Sequence, residues 1–199
     1  MRTILITGTS SGLGEYLAFK LVAAGHKVIG ISRSPLNLNS KLRNHLDCYY
    51  SHYLCDIKDK ASLIKLIKEL PEEEIKNLSA VISNAGVYGP LGSLQNIESE
   101  EFIDSININL IGPFLLSQSL MPIICANKSH RPKFIQISGG GATKPMNFAL
   151  GYAASKAAVV RLMESIALEY NNICDINSIA PGLLNTKLLD QVIEAGEEK

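Results

Sequence analysis

Thr3-Ile-Leu-Ile-Thr-Gly-Thr-Ser-Ser-Gly-Leu-Gly14 is the stretch of sequence that decides the fold. A short apolar run ends in a turn rich in glycine and serine, and an apolar pattern with helical spacing begins at Leu13. A turn of this kind lets the backbone approach a pyrophosphate, whose charge the amino end of the helix faces. The stretch therefore predicts a dinucleotide site, and the alternative is a tight strand-to-helix connection without a ligand. The predicted cofactor-binding residues here are Gly8, Ser10, Ser11, Gly12, Leu13 and Gly14.

The rest of the chain alternates between short runs rich in Val and Ile and longer helical patterns. The predicted strands are Thr3–Thr7, Lys27–Ser32, Tyr49–Leu54, Leu78–Ser83, Lys133–Ser138 and Asp175–Ile179. The predicted helices are Leu13–Ala24, Ala61–Leu70, Ser99–Met121 and Ala153–Tyr170. Within or just after the third of these helices, Pro113 and Pro122 are expected to kink it or end it. This alternation predicts an α/β fold with a doubly wound, Rossmann-like parallel sheet, and no linker divides residues 1–199, so we expect one domain.

The composition excludes several classes of protein. The 19 basic residues balance 19 acidic ones without forming a basic stripe, which argues against nucleic acid or an anionic membrane as the partner. Cys48, Cys55, Cys125 and Cys174 are scattered, so we expect reduced thiols and neither a disulfide framework nor a metal site. The first apolar run is too short for a signal peptide or a membrane span. We expect a cytoplasmic protein that binds small molecules.

Polar and small residues follow the second, third and fourth predicted strands, whose carboxyl ends meet at one edge of a parallel sheet. An arginine after the second strand suits the 2′-phosphate of NADP, so Ser32 and Arg33 favour NADP, with NAD as a possible cofactor. Asp56 and Ile57 lie where an adenine is expected, and Asn84-Ala85-Gly86 suits close packing against a nucleotide. The alternatives are a solvated Arg33, Asp56 as the N-cap of the next helix, and an ordinary turn after the fourth strand.

Tyr152 and Lys156 lie four residues apart in a predicted helix and therefore share one face of it. A fixed ammonium one turn away favours the phenolate form of a tyrosine and lowers its pKa. Bringing the pKa from about 10 to about 7 requires about 4 kcal/mol of differential stabilisation. One lysine supplies too little, so we expect a second cation or a nucleotide cofactor nearby.

These motifs, taken together with Pro181-Gly182, resemble the short-chain dehydrogenase/reductase family in order and separation, over nearly the whole chain. The resemblance implies that Tyr152 is the general acid that protonates a carbonyl during reduction. It implies that Lys156 lowers the pKa of Tyr152 and also binds the nicotinamide ribose. The oxidised nicotinamide would then be the second cation.

The resemblance extends to the remaining site residues. Asn109, or its neighbour Asn107, matches the helix asparagine that supports a proton relay through water to the lysine, and the alternative is a polar residue within a helix. Pro181, Gly182 and Thr186 match contacts to the nicotinamide end. A homodimer or homotetramer formed through the helices that contain Asn109 and Tyr152 is also implied.

The chain departs from the family at the strand that ends Ile137-Ser138-Gly139-Gly140-Gly141. Many members have Ser-Ser there and use the second serine to hold the substrate oxygen, which places Gly139 at the catalytic position. Ser138 can serve if the loop before Tyr152 is one residue longer than usual. The alternative for Ser138 is a hydroxyl bonded to backbone. Losing one such donor typically costs about 10²–10³ in rate.

A second departure is length, because the family's sheet usually has a seventh strand that this chain apparently lacks. Either the chain is truncated or the sheet is short. The substrate lid is expected around Leu183–Gly196, and Asn147 and Phe148 are expected to line the substrate pocket.

The function predicted from these features is an NAD(P)-dependent oxidoreductase, with NADP favoured, that reduces a carbonyl or oxidises a secondary alcohol. The alternative is a dinucleotide-binding protein with little or no turnover, such as a sensor or an inactive partner subunit, and Gly139 favours it. A nucleotide-sugar epimerase of the related extended family is a third choice, which the short chain disfavours because it leaves no room for an added substrate domain.

Overall fold

A computed structural model of the protein describes residues 1–35, 49–126 and 130–184. It contains one parallel sheet, and the glycine turn expected to bind a dinucleotide follows a central strand of that sheet. The strands of these residues are β1 (Thr3–Thr7), β2 (Lys27–Ser32), β3 (Tyr50–Leu54), β4 (Leu78–Ser83), β5 (Lys133–Ile137) and β6 (Asp175–Ile179). They are all parallel, in the order β3-β2-β1-β4-β5-β6. The order reverses between β1 and β4, where ligands bind outside the carboxyl ends of the strands. The predicted Rossmann-like sheet is confirmed.

Helices cover the sheet on both faces. They are α1 (Gly12–Ala23), α2 (Lys60–Glu69), α3 (Glu72–Lys76), α4 (Ser99–Ile106), α5 (Gly112–Ala126) and α6 (Leu150–Glu169). On one face Leu5 of β1 belongs to an apolar cluster with residues of α2, α5 and α6. On the other face Ile4 and Ile6 pack with Ala18 and Val22 of α1. All five residues of β1 are buried because both faces of this central strand are covered.

The predicted single helix over Ser99–Met121 is wrong in shape, because a π-helical turn over Asn107–Ile111 separates α4 from α5. Pro113 has no N–H and cannot donate to the carbonyl of Asn109, the residue four positions before it, so the regular helical bonding is interrupted here. Pro122 lies inside α5 and does not end it. Single π turns of this kind are frequent at functional sites.

The run Ser99–Ala126 is long and apolar enough to cross a membrane when judged by length and composition, with a mean hydropathy of 1.6 in its most apolar window of 18 residues. Half of its most apolar window is buried inside the fold. Leu116, Leu120 and Ile124 of α5 belong to the apolar cluster under the sheet. Packing against the sheet therefore accounts for the apolar character of this helix.

Asp59 is the N-cap of α2, and the alternative that gave this role to Asp56 is wrong. The Asp59 carboxylate accepts hydrogen bonds from the backbone N–H groups of Ala61 at 2.9 Å and Ser62 at 3.3 Å. The Asp56 carboxylate instead accepts from the backbone N–H of Lys58 at 3.1 Å. Asp56 thus stays at the carboxyl edge of the sheet, beyond β3.

Candidate active site

The turn between β1 and α1 is built so tightly that it requires glycine. Gly8 and Gly12 have positive φ angles of 74° and 62°, which side chains disfavour. The backbone N–H of Gly8 donates to the carbonyl of Ile31 at 2.7 Å, which anchors the turn to β2. A Cβ on Gly14 would lie 2.2 Å from the carbonyl oxygen of Gly8, so α1 begins in direct contact with the turn. This contact brings the amino end of α1 to the edge of the sheet.

Asn84 supports this turn from β4. Its side-chain amide donates to the carbonyl oxygens of Thr7 at 2.9 Å and Gly8 at 3.4 Å. In return, the Thr7 hydroxyl accepts from the backbone N–H groups of Asn84 and Ala85, each at 3.0 Å. These bonds join β1 to β4 across the point where the strand order reverses.

A cleft of about 540 Å³ lies at this edge and collects most of the predicted cofactor residues. Its lining includes Gly8, Ser10, Ser11, Gly12, Leu13, Ser32, Arg33, Asp56, Ile57, Asn84, Ala85, Gly86, Pro181 and Gly182. Ser138, Tyr152 and Lys156 line the same cleft. Gly14 does not line it and serves the packing of the turn. Thr186 lies outside the described residues, as does most of the expected lid over Leu183–Gly196.

The hydroxyl of Ser32 is already used inside the protein. It donates to the carbonyl of Ser34 at 2.6 Å and lies 2.8 Å from Nε2 of His52. Burial lowers the pKa of His52, so its ring is neutral and Nε2–H donates to the Ser32 hydroxyl. Arg33 next to it is exposed and lines the cleft, so Arg33 is the side chain of this pair that remains to meet a ligand.

Asn109 points inward from the π turn, and Asn107 does not take its place. The Asn109 side chain is fully buried, accepts from the backbone N–H of Val87 at 2.9 Å and donates to the Val87 carbonyl at 2.8 Å. It also donates to the hydroxyl of Ser155 at 3.0 Å. Asn109 therefore links the π turn to the loop after β4 and to α6, whereas Asn107 is only half-buried.

Tyr152 and Lys156 lie side by side in the first turns of α6, and both are buried. The ammonium of Lys156 lies 5.6 Å from the centre of the Tyr152 ring and donates to the carbonyl of Ile137 at 3.1 Å. Burial lowers the pKa of Lys156 to about 8. Burial, with a smaller contribution from Tyr88, raises the pKa of Tyr152 to about 12. Removal of the phenolate from water therefore sets the direction of the Tyr152 pKa, and its lowering by Lys156 together with a second cation stays a prediction.

Tyr88, which was not among the predicted site residues, stacks on Tyr152 with ring centres 4.3 Å apart and an angle of 29°. The two rings form a small apolar cluster with Ala149, and Leu91 and Met146 pack against it. Tyr88 also lines the cleft. Its position just after Asn84-Ala85-Gly86 was the available signal, since residues that follow a strand's carboxyl end reach the ligand edge of such a sheet.

Gly139 lies against the hydroxyl of Tyr152. A Cβ on Gly139 would be 2.1 Å from that oxygen, so no serine side chain fits there without moving the tyrosine. Ser138 is buried, and its hydroxyl has no hydrogen-bond partner among the described residues, so the alternative of a backbone-bonded hydroxyl is not seen there. Ser138 lines the cleft, although its hydroxyl oxygen is itself buried.

The loop before α6 contributes Met146 to the cleft, and the residues expected there do not line it. Phe148 has a positive φ of 60°, and its carbonyl accepts from the backbone N–H of Gly92 at 2.8 Å. Asn147 and Phe148 are not among the residues that line this cleft. Their place in the substrate pocket stays a prediction, since most of the expected lid over Leu183–Gly196 lies outside the described residues.

Comparison with known proteins gives consistent matches. The family model described as short chain dehydrogenase matches residues 2–196. The chain is 29% identical to benzil reductase ((S)-benzoin forming) of Bacillus cereus, covering 100% of this chain and 82% of the relative. It is 28% identical to an NADPH-dependent pterin aldehyde reductase of Arabidopsis thaliana, covering 94% and 77%. The crystal structure of levodione reductase superposes with a TM-score of 0.89 at 26% identity, covering 100% of this chain and 78% of that chain.

Replacing Asn109 with alanine should destabilise the protein. The change leaves the N–H and carbonyl of Val87 without their partners, and each unsatisfied buried group costs about 1–3 kcal/mol. Urea unfolding should show a loss in this range for Asn109→Ala and a much smaller loss for the matched Asn107→Ala. Equal losses in the two variants would show that the Val87 contacts do not stabilise the fold.

The buried Lys156 should make stability depend on alkaline pH. Its pKa of about 8 in the fold lies below the reference value of 10.5, so the unfolded chain binds more protons between these values and the unfolding free energy rises with pH. Lys156→Met removes this pH dependence. The unfolding free energy of the parent should therefore rise relative to that of the variant as pH increases through this window. Urea unfolding over the window measures it, and exposed Lys20→Met controls for the lost charge. A difference that stays constant with pH contradicts the burial effect.

Proposed function

The chain belongs to the short chain dehydrogenase family of oxidoreductases, and we propose that it is an NADP-dependent enzyme that reduces a carbonyl or oxidises a secondary alcohol. Tyr152 is the general acid and base of this reaction, and Lys156 and Asn109 assist it. The observation that carries the proposal is that the buried Tyr152 and Lys156 line the same cleft as the glycine turn.

The residues of the cleft fit a nicotinamide dinucleotide. The turn at Gly8 and Gly12 leaves backbone where a side chain would block a pyrophosphate, and the amino end of α1 faces it. Arg33 would hold a 2′-phosphate, Asp56 and Ile57 would flank the adenine, and Pro181-Gly182 would contact the nicotinamide end. When bound, the dinucleotide supplies or accepts the hydride. The name of the pterin aldehyde reductase, a relative that uses NADPH, adds support for NADP.

The protonation states of the pair suit reduction. With a pKa of about 12, Tyr152 holds its proton at neutral pH and can donate it to the carbonyl oxygen as hydride reaches the carbon. The phenolate that remains takes a proton from the ammonium of Lys156, whose pKa of about 8 makes this transfer accessible near neutrality. Oxidation runs the same steps backwards and needs a positive charge near Tyr152 to favour its phenolate.

Asn109 completes a proton path to Lys156. Its side chain is committed to Val87 and Ser155, so it acts by holding the walls of the site. Its backbone carbonyl cannot accept from Pro113, and in the proposed path this oxygen binds a water molecule between the π turn and Lys156. The nearness of the two side chains supports this path, because a Cβ on Gly86 would lie 3.1 Å from Oδ1 of Asn109 and 3.3 Å from Nζ of Lys156.

Ser138 holds the substrate oxygen together with Tyr152. Ser138 lines the cleft, and its buried hydroxyl is free of hydrogen bonds to the described residues, whereas Gly139 offers no hydroxyl at all. This assignment keeps a donor for the developing charge on the oxygen. The alternative of a dinucleotide-binding protein without turnover gains no support from the relatives, whose names are those of reductases.

We also propose that the enzyme is a cytoplasmic homo-oligomer. Cys55, Cys125 and Cys174 are free thiols, which suits a reducing compartment. Exposed apolar side chains on the helices that contain Asn109 and Tyr152, and on the π turn, would be covered by a second copy of the chain. They are Ile103, Ile111, Phe114, Leu150 and Leu168.

Replacing Tyr152 with phenylalanine should abolish turnover and keep cofactor binding. The ring and its packing remain, and only the proton donor is lost, which typically costs about 10²–10⁴ in rate. NADPH oxidation is followed with a panel of aldehydes and ketones, and NADPH affinity is measured separately by fluorescence. The exposed Tyr16→Phe serves as the matched control. Carbonyl reduction at the parent's rate in Tyr152→Phe would refute the role of Tyr152.

Replacing Arg33 with alanine should weaken NADPH more than NADH. Loss of a charged hydrogen bond costs about 1.5–3 kcal/mol, which is about 10–100-fold in Kd, and NADH has no 2′-phosphate to lose it. Fluorescence titration with both nucleotides measures the ratio. Arg161→Ala, an exposed arginine on α6, controls for net charge. Equal weakening of the two nucleotides would contradict the assignment of NADP.

A further inference from the structure

We infer that Tyr88 is a positioning residue for the proton donor Tyr152. Tyr88 and Gly139 together hold Tyr152 in a position where a side chain at position 139 would clash with it. The inference rests on the proposed function, because Tyr152 is the proton donor only in that reaction. It assigns a role to the gap left by the missing serine: the gap is filled by the tyrosine's own hydroxyl.

The space at Gly139 is required by size and not by backbone conformation. Its φ of −176° and ψ of 178° are extended angles that any residue adopts. A Cβ there would nevertheless lie 2.1 Å from the Tyr152 hydroxyl oxygen and 3.1 Å from the ring carbon that bears it. Gly141 contributes as well, since a Cβ on it would lie 3.2 Å from the same ring and 2.8 Å from the backbone of Ala153. Gly139 and Gly141 therefore leave the space that the Tyr152 side chain occupies.

Tyr88 stacks on the ring of Tyr152 and holds it in this space. The ring centres of Tyr88 and Tyr152 are 4.3 Å apart, and the two side chains are only 8% and 7% exposed. Stacked aromatic rings attract one another beyond the effect of their buried area. Burial raises the pKa of Tyr88, so it keeps its proton and its ring stays neutral beside the donor.

Ser105, a buried serine on α4, lies against the backbone next to each of the two tyrosines. Ser105 lies between Gly89, which follows Tyr88, and Gly151, which precedes Tyr152. A Cβ on Gly89 would be 2.5 Å from the Ser105 Cβ, and a Cβ on Gly151 would be 2.6 Å from its hydroxyl oxygen. Ser105 is fixed in turn by donating to the carbonyl of Phe102 at 2.7 Å. The loop that carries Tyr88 and the helix that carries Tyr152 thus rest on the same side chain.

The consequence for catalysis is a division of roles. Ser138 and Tyr152 contact the substrate oxygen, whereas Tyr88 acts through Tyr152 by keeping its hydroxyl over Gly139. A displacement of the donor of about 1 Å typically costs up to about 10²-fold in rate. Loss of the Tyr88 ring should therefore lower kcat, and loss of the Tyr88 hydroxyl alone should not.

The test compares Tyr88→Leu, Tyr88→Phe and Gly139→Ala with the parent chain by two readouts. The first is fluorine NMR of protein labelled with 3-fluorotyrosine, in which the Tyr152 signal is assigned by its absence in Tyr152→Phe. We expect Gly139→Ala to move this signal and Tyr16→Phe to leave it in place, whereas the shift in Tyr88→Leu also contains the lost ring current of Tyr88 and is read only beside the shift in Gly139→Ala. A Tyr152 signal that stays in place in Gly139→Ala overturns the inference, whether or not the protein turns over.

The second readout is kcat for a carbonyl that the parent reduces, together with the Kd for NADPH. We expect Tyr88→Leu and Gly139→Ala to lower kcat by about 10–100-fold with the NADPH Kd unchanged, and Tyr88→Phe to restore most of the rate. A Tyr88→Phe variant as slow as Tyr88→Leu overturns the positioning role, because the hydroxyl would then act directly. A parent chain that binds NADPH and reduces no carbonyl refutes the proposed function, while the NMR result still decides where Tyr152 is held.

Discussion

Gly14 approaches Gly8 so closely that a Cβ on Gly14 would lie 2.2 Å from the carbonyl oxygen of Gly8, and the rest of the site depends on this contact. It sets α1 directly on the end of β1 and turns the amino end of that helix toward the carboxyl edge of the sheet. Asn84 completes the arrangement by donating to Thr7 and Gly8 from β4. Hydrogen bonds therefore join the turn to the start of the loop that leads to Tyr88, at the point where the strand order reverses.

Burial is the second constraint, and it sets the protonation states of Tyr152 and Lys156. It raises the pKa of Tyr152 to about 12 and lowers the pKa of Lys156 to about 8, so each group is driven toward its neutral form. A neutral tyrosine is a competent acid but a poor base. In the reaction that we propose, the pair therefore favours protonation of a carbonyl, and the reverse reaction needs the positive charge of an oxidised nicotinamide to favour the phenolate.

The fold and most of the cleft could be predicted from the sequence because they follow from local patterns. A strand, a glycine turn and a helix lie next to one another along the chain, and parallel strands bring residues such as Arg33, Asp56 and Asn84 to one edge. The direction of the Tyr152 pKa could not be predicted, because it depends on burial beside Tyr88, which is distant in sequence. The N-cap at Asp59 and the close approach of the Tyr152 hydroxyl to Gly139 likewise depend on distances that a sequence does not contain.

Transfer of deuterium from the nicotinamide of labelled NADPH to a carbonyl substrate would demonstrate the proposed reaction. The protein is incubated with NADPH that carries deuterium at the transferred position and with a panel of ketones and aldehydes, and the alcohols are analysed by mass spectrometry. We expect one deuterium bound to the carbinol carbon of a product alcohol, with the hydroxyl proton drawn from solvent through Tyr152. NADPH that binds without yielding a deuterated alcohol, or that is oxidised while its deuterium goes elsewhere, would contradict the proposed reaction.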